Sequence, residues 1–181
     1  PVSETFTHYR HDADNPQSLS SDMLSMVYQD RAGALWIGAH SGGVSRIDPE
    51  NQKFRHYQHH PNTPDSLSHP AVFSITIDEQ GIVWLGTVGG LNKFDPKTDT
   101  FRSYQHDDND PTSLSHNFAH NVYIDRQGVL WVGTWGGGLN RFDRETETFN
   151  LFSHEDFVIN RSMSIYEDSS GTLWVGTFRN G

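Results

Sequence analysis

Short apolar runs separated by polar turns fill the chain from end to end. Four of these runs read ALWIGA, VWLGTV, LWVGTW and LWVGTF, and each is followed or closed by glycine. Upstream of each lies another run rich in β-branched and aromatic residues, namely LSMVYQD, VFSITID, AHNVYID and SMSIYED. Runs of this length and composition, bounded by turn residues, are typical of β-strands. The pattern therefore predicts an all-β chain in which each tryptophan marks a second strand.

The tryptophan segments recur at a nearly constant spacing. Trp36, Trp84, Trp131 and Trp174 are separated by 48, 47 and 43 residues. A glycine precedes each tryptophan by three residues and an aspartate precedes that glycine by three, at Asp30, Asp78, Asp125 and Asp168. Asp-x-x-Gly between two apolar runs favours a hairpin turn, because the aspartate can accept backbone amides and glycine takes the positive φ. The glycines two residues after tryptophan, Gly38, Gly86, Gly133 and Gly176, would permit close approach or a tight bend.

The remainder of each period predicts two further strands, such as LNKFD and FRSYQ. Four antiparallel strands in a period of this length indicate one blade of a β-propeller. We therefore interpret residues 1–181 as a propeller region with these segments: 4–10 an orphan outer strand, 20–58, 69–106 and 116–153 full blades, and 161–181 a partial blade. Even if the orphan strand joined the partial blade, a third strand would be missing. This favours a fragment of a larger ring over a complete four-bladed ring or copies joined edge to edge.

Residues that repeat in every blade are predicted to be structural, and residues that differ at one face are the candidates for binding. The tryptophans are expected to pack between blades, and the aspartates to form turns. The loops predicted to surround the central channel carry the candidate ligand-binding residues His40, Ser41, His69, His116, Trp135 and Arg179. Together they could form a shallow pocket for a sugar or an acidic ligand. Simple drift of loop sequence is the alternative interpretation.

Composition excludes several classes of function. The formal charge of −10 argues against binding nucleic acid or anionic lipid, and no apolar run approaches the roughly 20 residues that span a bilayer. The absence of cysteine excludes disulfides and thiolate metal sites. Although the chain has eleven histidines, those at 56, 59 and 60 are expected to face solvent near an outer strand, so we predict no metal site. No nucleophile elbow or phosphate-binding loop is present, so we predict no cofactor and no enzymatic activity.

Three segments resemble the two-component regulator propeller repeat: SMVYQDRAGALWIGAHSGGVSRIDP, SITIDEQGIVWLGTVGGLNKFDP and NVYIDRQGVLWVGTWGGGLNRFD. The Ser-Leu-Ser stretches at 66–68 and 113–115 resemble the linkers of that family. The resemblance implies a large, seven-bladed ring in the extracytoplasmic, periplasmic sensor region of a membrane-bound bacterial histidine kinase, hybrid regulator or diguanylate cyclase. It also implies that the ligand is a carbohydrate fragment or another periplasmic molecule. The family has no catalytic motif, so the resemblance assigns no catalytic role to any residue of this chain.

Two other functions remain open at this stage. Streptogramin-lyase-like propellers have a similar Asp-x-x-Gly-x-x-Trp blade, and His40, His69, His116 and His120 keep an enzymatic role in consideration. The third possibility is an interaction module that binds another protein, or another copy of itself through open blade edges.

Overall fold

The computed structural model describes residues 6–48, 50, 53–152 and 161–178, and the regular structure in these ranges is entirely β. Blade 1 consists of β1 (Leu24–Gln29), β2 (Leu35–Ala39), β3 (Val44–Ile47) and β4 (Phe54–Tyr57). Blade 2 consists of β5 (Val72–Ile77), β6 (Val83–Thr87), β7 (Gly90–Asp95) and β8 (Thr100–Tyr104). Blade 3 consists of β9 (Ala119–Ile124), β10 (Leu130–Thr134), β11 (Gly138–Asp143) and β12 (Thr148–Phe152). Blade 4 is represented by β13 (Ser162–Glu167) and β14 (Leu173–Thr177).

Each blade is an antiparallel meander whose strands pair in chain order. Blades 1 to 3 are four-stranded sheets, and the described part of blade 4 is a two-stranded sheet. The first strands lie side by side, with β1 against β5, β5 against β9 and β9 against β13. The predicted class of fold, propeller blades of four antiparallel strands, is therefore confirmed.

The Asp-x-x-Gly-x-x-Trp motif forms the same hydrogen-bonded hairpin in all four blades. In blade 2, one carboxylate oxygen of Asp78 accepts the backbone amides of Gln80 and Ile82. The other oxygen accepts the indole Nε1–H of Trp84 at 3.0 Å. The equivalent indole bonds in blades 1, 3 and 4 measure 3.0, 2.8 and 2.8 Å. The glycine of each turn has φ between 80° and 87°, in the left-handed region. The aspartate therefore shapes the turn and also orients the tryptophan.

The oriented tryptophans fill the junctions between neighbouring blades. Trp36 stacks on Tyr57 of its own blade at 5.7 Å and meets Phe94 of blade 2 at 6.1 Å. Trp84 repeats this arrangement one blade later with Tyr104 and Phe142. A methyl group added at Gly86 would lie 2.6 Å from the carbonyl oxygen of Ala119 in blade 3. The glycine is therefore needed where the next first strand crosses close to β6.

The polar linkers between blades also have a repeated structure. The Nδ1 atoms of His11, His59 and His106 lie 2.7, 2.6 and 2.8 Å from the carbonyl oxygens of Leu19, Leu67 and Leu114. These leucines are the centres of the Ser-Leu-Ser stretches and are buried. His59 was expected to face solvent, but it is half-buried and holds its linker closed. The histidines therefore recur for an architectural reason that the blade pattern alone did not reveal.

The segment predicted as an orphan outer strand, 4–10, is described from residue 6 onwards. Residues 6–10, the described part of that segment, form no strand. Tyr9 nevertheless packs edge-on against Phe54 at 5.5 Å. The same contact recurs between Tyr57 and Phe101, at 6.1 Å, in the next junction. The segment therefore takes the place of an outer strand without its hydrogen bonds.

Candidate functional site

Each first strand begins with a β-bulge that turns one side chain out of the regular alternation. The register against the second strand shifts at Ser25, Phe73, His120 and Met163 in blades 1 to 4. Bulges commonly re-aim a side chain near a functional site. Four equivalent positions at the same end of the blades therefore carry four different side chains.

A backbone hydrogen bond beside each bulge joins two further positions that differ between blades. The amide of Val88 donates to the carbonyl of Ala71 in blade 2, and the amide of Trp135 donates to the carbonyl of Phe118 in blade 3. In blade 4 the amide of Phe178 donates in the same way to Arg161. Blade 2 thus has two small aliphatic residues where blade 3 has two large aromatic ones.

These positions form a continuous row of rings across blades 2 to 4, which we call the aromatic shelf. The shelf consists of Phe73, Phe118, His120, Trp135 and Phe178. Ring centroids of Phe73 and Phe118 are 4.8 Å apart, and Phe118 stacks on Trp135 at 6.0 Å with an interplanar angle of 25°. Trp135 meets Phe178 at 5.3 Å. Trp135 is half-buried and Phe178 is 39 % exposed, so part of the row is open to solvent.

A different polar side chain lies at each end of the shelf. The ring of His40 from blade 1 contacts Phe73 at 5.0 Å. At the other end, the guanidinium of Arg161 lies over Trp135 at 5.1 Å and over Phe178 at 5.8 Å. The shelf therefore combines apolar ring faces with one permanent positive charge.

His120 is the polar member of the shelf itself. Its ring lies 5.4 Å from Phe73 and 5.7 Å from Trp135. Its Nδ1 atom is buried and has no hydrogen-bond partner in the described ranges. Burial lowers the pKa of His120 below its usual value, although a hydrogen bond with the Met163 backbone opposes this. Burial therefore favours the neutral form of the ring.

The structure brings some of the predicted binding residues together and separates others. Trp135 lies in the shelf and His40 at its end. The Nδ1 atoms of His69 and His116 accept the backbone amides of Ala71 and Phe118, each at 3.0 Å. These two rings border the site and shape its loops. Burial, helped by His59, lowers the pKa of His69.

The remaining two candidates are Ser41 and Arg179. Ser41 is exposed, and its hydroxyl lies 3.4 Å from that of Ser21. Arg179 lies outside the described residues.

Sequence reasoning missed most of the shelf. Phe73, Phe118, Arg161 and Phe178 were not selected, and His120 was considered only for an enzymatic role. The available signal was the variation at the start of the first strands, which read LSM, VFS, AHN and SMS. The bulge that turns these residues outward could not be recognised from the alternation of apolar and polar positions.

A groove separate from the shelf is also present among the described residues. An open groove of about 580 Å³ runs between the first strands, with Tyr28, Thr76 and Tyr123 among its lining residues. Within the ranges that the structure covers, no three His, Asp or Glu side chains converge as a metal site would require. The same ranges contain no helix of the length and apolarity needed to cross a membrane.

Comparison with known proteins identifies the repeat. The family model of the two component regulator propeller matches residues 66–89, 113–136 and 156–179, which confirms the resemblance seen in the sequence. No curated protein matches the chain by sequence.

Solved structures show the same relationship at the level of the fold. The extracellular domain of the hybrid two component system BT3049 from B. thetaiotaomicron is 27% identical with a TM-score of 0.82, over 97% of this chain and 24% of that one. That of BT4673 from the same organism is 23% identical with a TM-score of 0.70, over 91% of this chain and 21% of that one. Virginiamycin B lyase from Staphylococcus aureus is 14% identical with a TM-score of 0.63, over 84% of this chain and 48% of that one. This chain therefore spans about a quarter of the length of the two component structures.

Proposed function

Because the chain carries two component regulator propeller repeats, we propose that it is a ligand-sensing segment of a membrane-bound bacterial regulator, located on the extracytoplasmic, periplasmic side. The likeness to an extracellular domain of a hybrid two component system supports this location. The proposal concerns the recognition step and assigns no signalling output to this segment.

The aromatic shelf is the observation that supports ligand recognition. It is built from positions where the blades differ, whereas the residues that hold the blades together are the same in each. Apolar ring faces with a few polar groups are typical of ligand sites. The flat C–H faces of a sugar fit against such rings, while its hydroxyls can reach His40 or Arg161. We therefore infer that the ligand is a carbohydrate fragment.

Binding without catalysis fits the chemistry of the shelf better than an enzymatic role. Burial lowers the pKa of His120, and its Nδ1 has no hydrogen-bond partner among the described residues, as a general base would require. However, among the described residues none of its hydrogen bonds is to a carboxylate, which a His–acid pair would need. The likeness to virginiamycin B lyase is a likeness of fold. We infer that this segment is not an enzyme.

The test uses substitutions that the repeat itself provides. Trp135→Val and Phe118→Ala give blade 3 the residues that blade 2 has at Val88 and Ala71, so both variants should fold. The probes are cello-, xylo-, manno- and galacturono-oligosaccharides, measured by thermal shift. Binding at a concentration 100 times Kd should stabilise the native state by about 2.7 kcal/mol, and either variant should abolish the shift.

Trp174→Val is the matched control, because it removes an exposed tryptophan at a distance from the shelf. It should keep the ligand-induced shift in full. If no saccharide stabilises the chain, or if the two shelf variants respond as the unmodified chain does, the proposal is wrong. If the chain converts any of these saccharides chemically, and if His120→Ala abolishes that conversion, the shelf is the site of an enzyme.

A further inference from the structure

We propose that the aromatic shelf selects acidic saccharides, and that the side chain of Arg161 binds their carboxylate. This rests on the proposed function and adds the chemical class of the ligand. Arg161 is exposed and is not one of the residues that the sequence analysis selected.

The described structure contains a recurring arrangement of a cation, a ring and a carboxylate. Five other cationic side chains lie over aromatic rings, and each also pairs with a carboxylate of the chain. These pairs are Arg46 with Asp48, Arg55 with Asp99, Lys93 and Arg102 with Glu147, and Arg144 with Asp78. Arg161 likewise lies over two aromatic rings, those of Trp135 and Phe178, but no ion pair within the described ranges includes it. A carboxylate on the ligand would complete the same arrangement.

The position of Arg161 over the rings leaves its hydrogen-bonding groups available. Its guanidinium Cζ atom lies 5.1 Å from the ring centroid of Trp135 and 5.8 Å from that of Phe178, where the ring faces attract a cation. Its N–H donors lie in the plane of the group and can bind a carboxylate in the bidentate geometry that arginine favours. The rings also restrict the side chain, so less conformational entropy is lost when the anion binds.

The position of Arg161 at the end of the row suggests how one ligand makes both contacts. A sugar ring lying on Trp135 would have its substituents within reach of the guanidinium. The formal charge of −10 opposes the approach of any anion over long range, but salt screens that field beyond roughly 8 Å at physiological ionic strength. The local charge of Arg161 then decides between an acidic sugar and a neutral one.

The experiment compares saccharides that carry a free carboxylate with the same saccharides after methyl esterification, which removes the charge. Isothermal titration would use oligogalacturonides and their methyl esters, together with a glucuronate-containing oligosaccharide and its methyl ester. The acid should bind about 10- to 100-fold more tightly than its ester, the range that a charge-assisted hydrogen bond supplies. The preference should decrease as salt is raised.

Variants separate this inference from the proposed function. Arg161→Gln should bind acid and ester equally, because the charge that favours the acid is lost. Arg55→Gln removes the same charge from a ring-stacked arginine of the outer strand β4, and should keep the preference for the acid. Equal binding of acid and ester by the unmodified chain would overturn the role of Arg161 while leaving the shelf as a saccharide site. Failure to bind any member of the panel would overturn both proposals.

Discussion

The hairpins around Trp84 and Trp174 have the same internal hydrogen bonds in very different surroundings. Both indoles donate to the aspartate six residues earlier, at 3.0 and 2.8 Å. Trp84 is 1% exposed because blade 3 covers it, whereas Trp174 is 62% exposed. The motif therefore sets the geometry of the hairpin by itself. The stabilising energy comes from the neighbouring blade, which the motif does not contain.

The largest difference should appear when each tryptophan is truncated. Trp84→Ala removes a ring packed against Tyr104 and Phe142 and leaves a cavity, so it should cost about 3 to 5 kcal/mol. Trp174→Ala should cost about 1 kcal/mol or less, because little buried area is lost. Urea unfolding followed by circular dichroism measures both. Equal costs would show that the local hydrogen bond, and not packing between blades, is the main contribution of the motif.

The second prediction concerns the aspartates of the same two hairpins. Asp78 is 5% exposed and forms an ion pair with Arg144 of blade 3 at 2.7 Å. Asp78→Asn keeps an acceptor for the indole but leaves Arg144 unpaired, so we expect a loss of about 2 to 3 kcal/mol in the free energy of unfolding. Asp168→Asn is the control, since its hydrogen bonds lie within its own hairpin, and its effect should be much smaller.

The pH dependence of stability offers an independent measurement of the same pair. Burial alone would raise the pKa of Asp78, but hydrogen bonds from Trp84, Arg144 and the Ile82 amide outweigh it and lower the pKa. A carboxyl whose pKa is lowered by folding stabilises the native state above its unfolded pKa. That contribution is lost as the pH falls through the lower, folded value. Asp78→Asn should therefore flatten the acid limb of the stability curve, and a curve of unchanged shape would contradict this account.

The comparison also explains which parts of the molecule the sequence could predict. The Asp–Gly–Trp spacing is local, so strands, turns and blade order followed directly from it. The aromatic shelf is not local: Phe73, Phe118 and Phe178 come from three blades, and a bulge turns Phe73 toward the others. His59 was missed for a different reason, because its partner is the backbone carbonyl of Leu67, which a pattern of side chains does not identify. The tryptophans could be assigned to the junctions between blades because they repeat, whereas the residues that differ from blade to blade could not be assigned from a single period.

The smallest predicted effect tests how closely the blades approach each other. A methyl group at Gly86 would meet the carbonyl of Ala119 in blade 3, so Gly86→Ala must move one strand and should cost about 1 to 3 kcal/mol. At Gly176 the nearest obstacle is the hydroxyl of Ser164 in the same hairpin, which can rotate away. Gly176→Ala should therefore change the unfolding midpoint by less than Gly86→Ala. If the two substitutions were equally costly, the glycine would be required by the hairpin itself. The close approach of the next blade would then be a consequence of that requirement and not its cause.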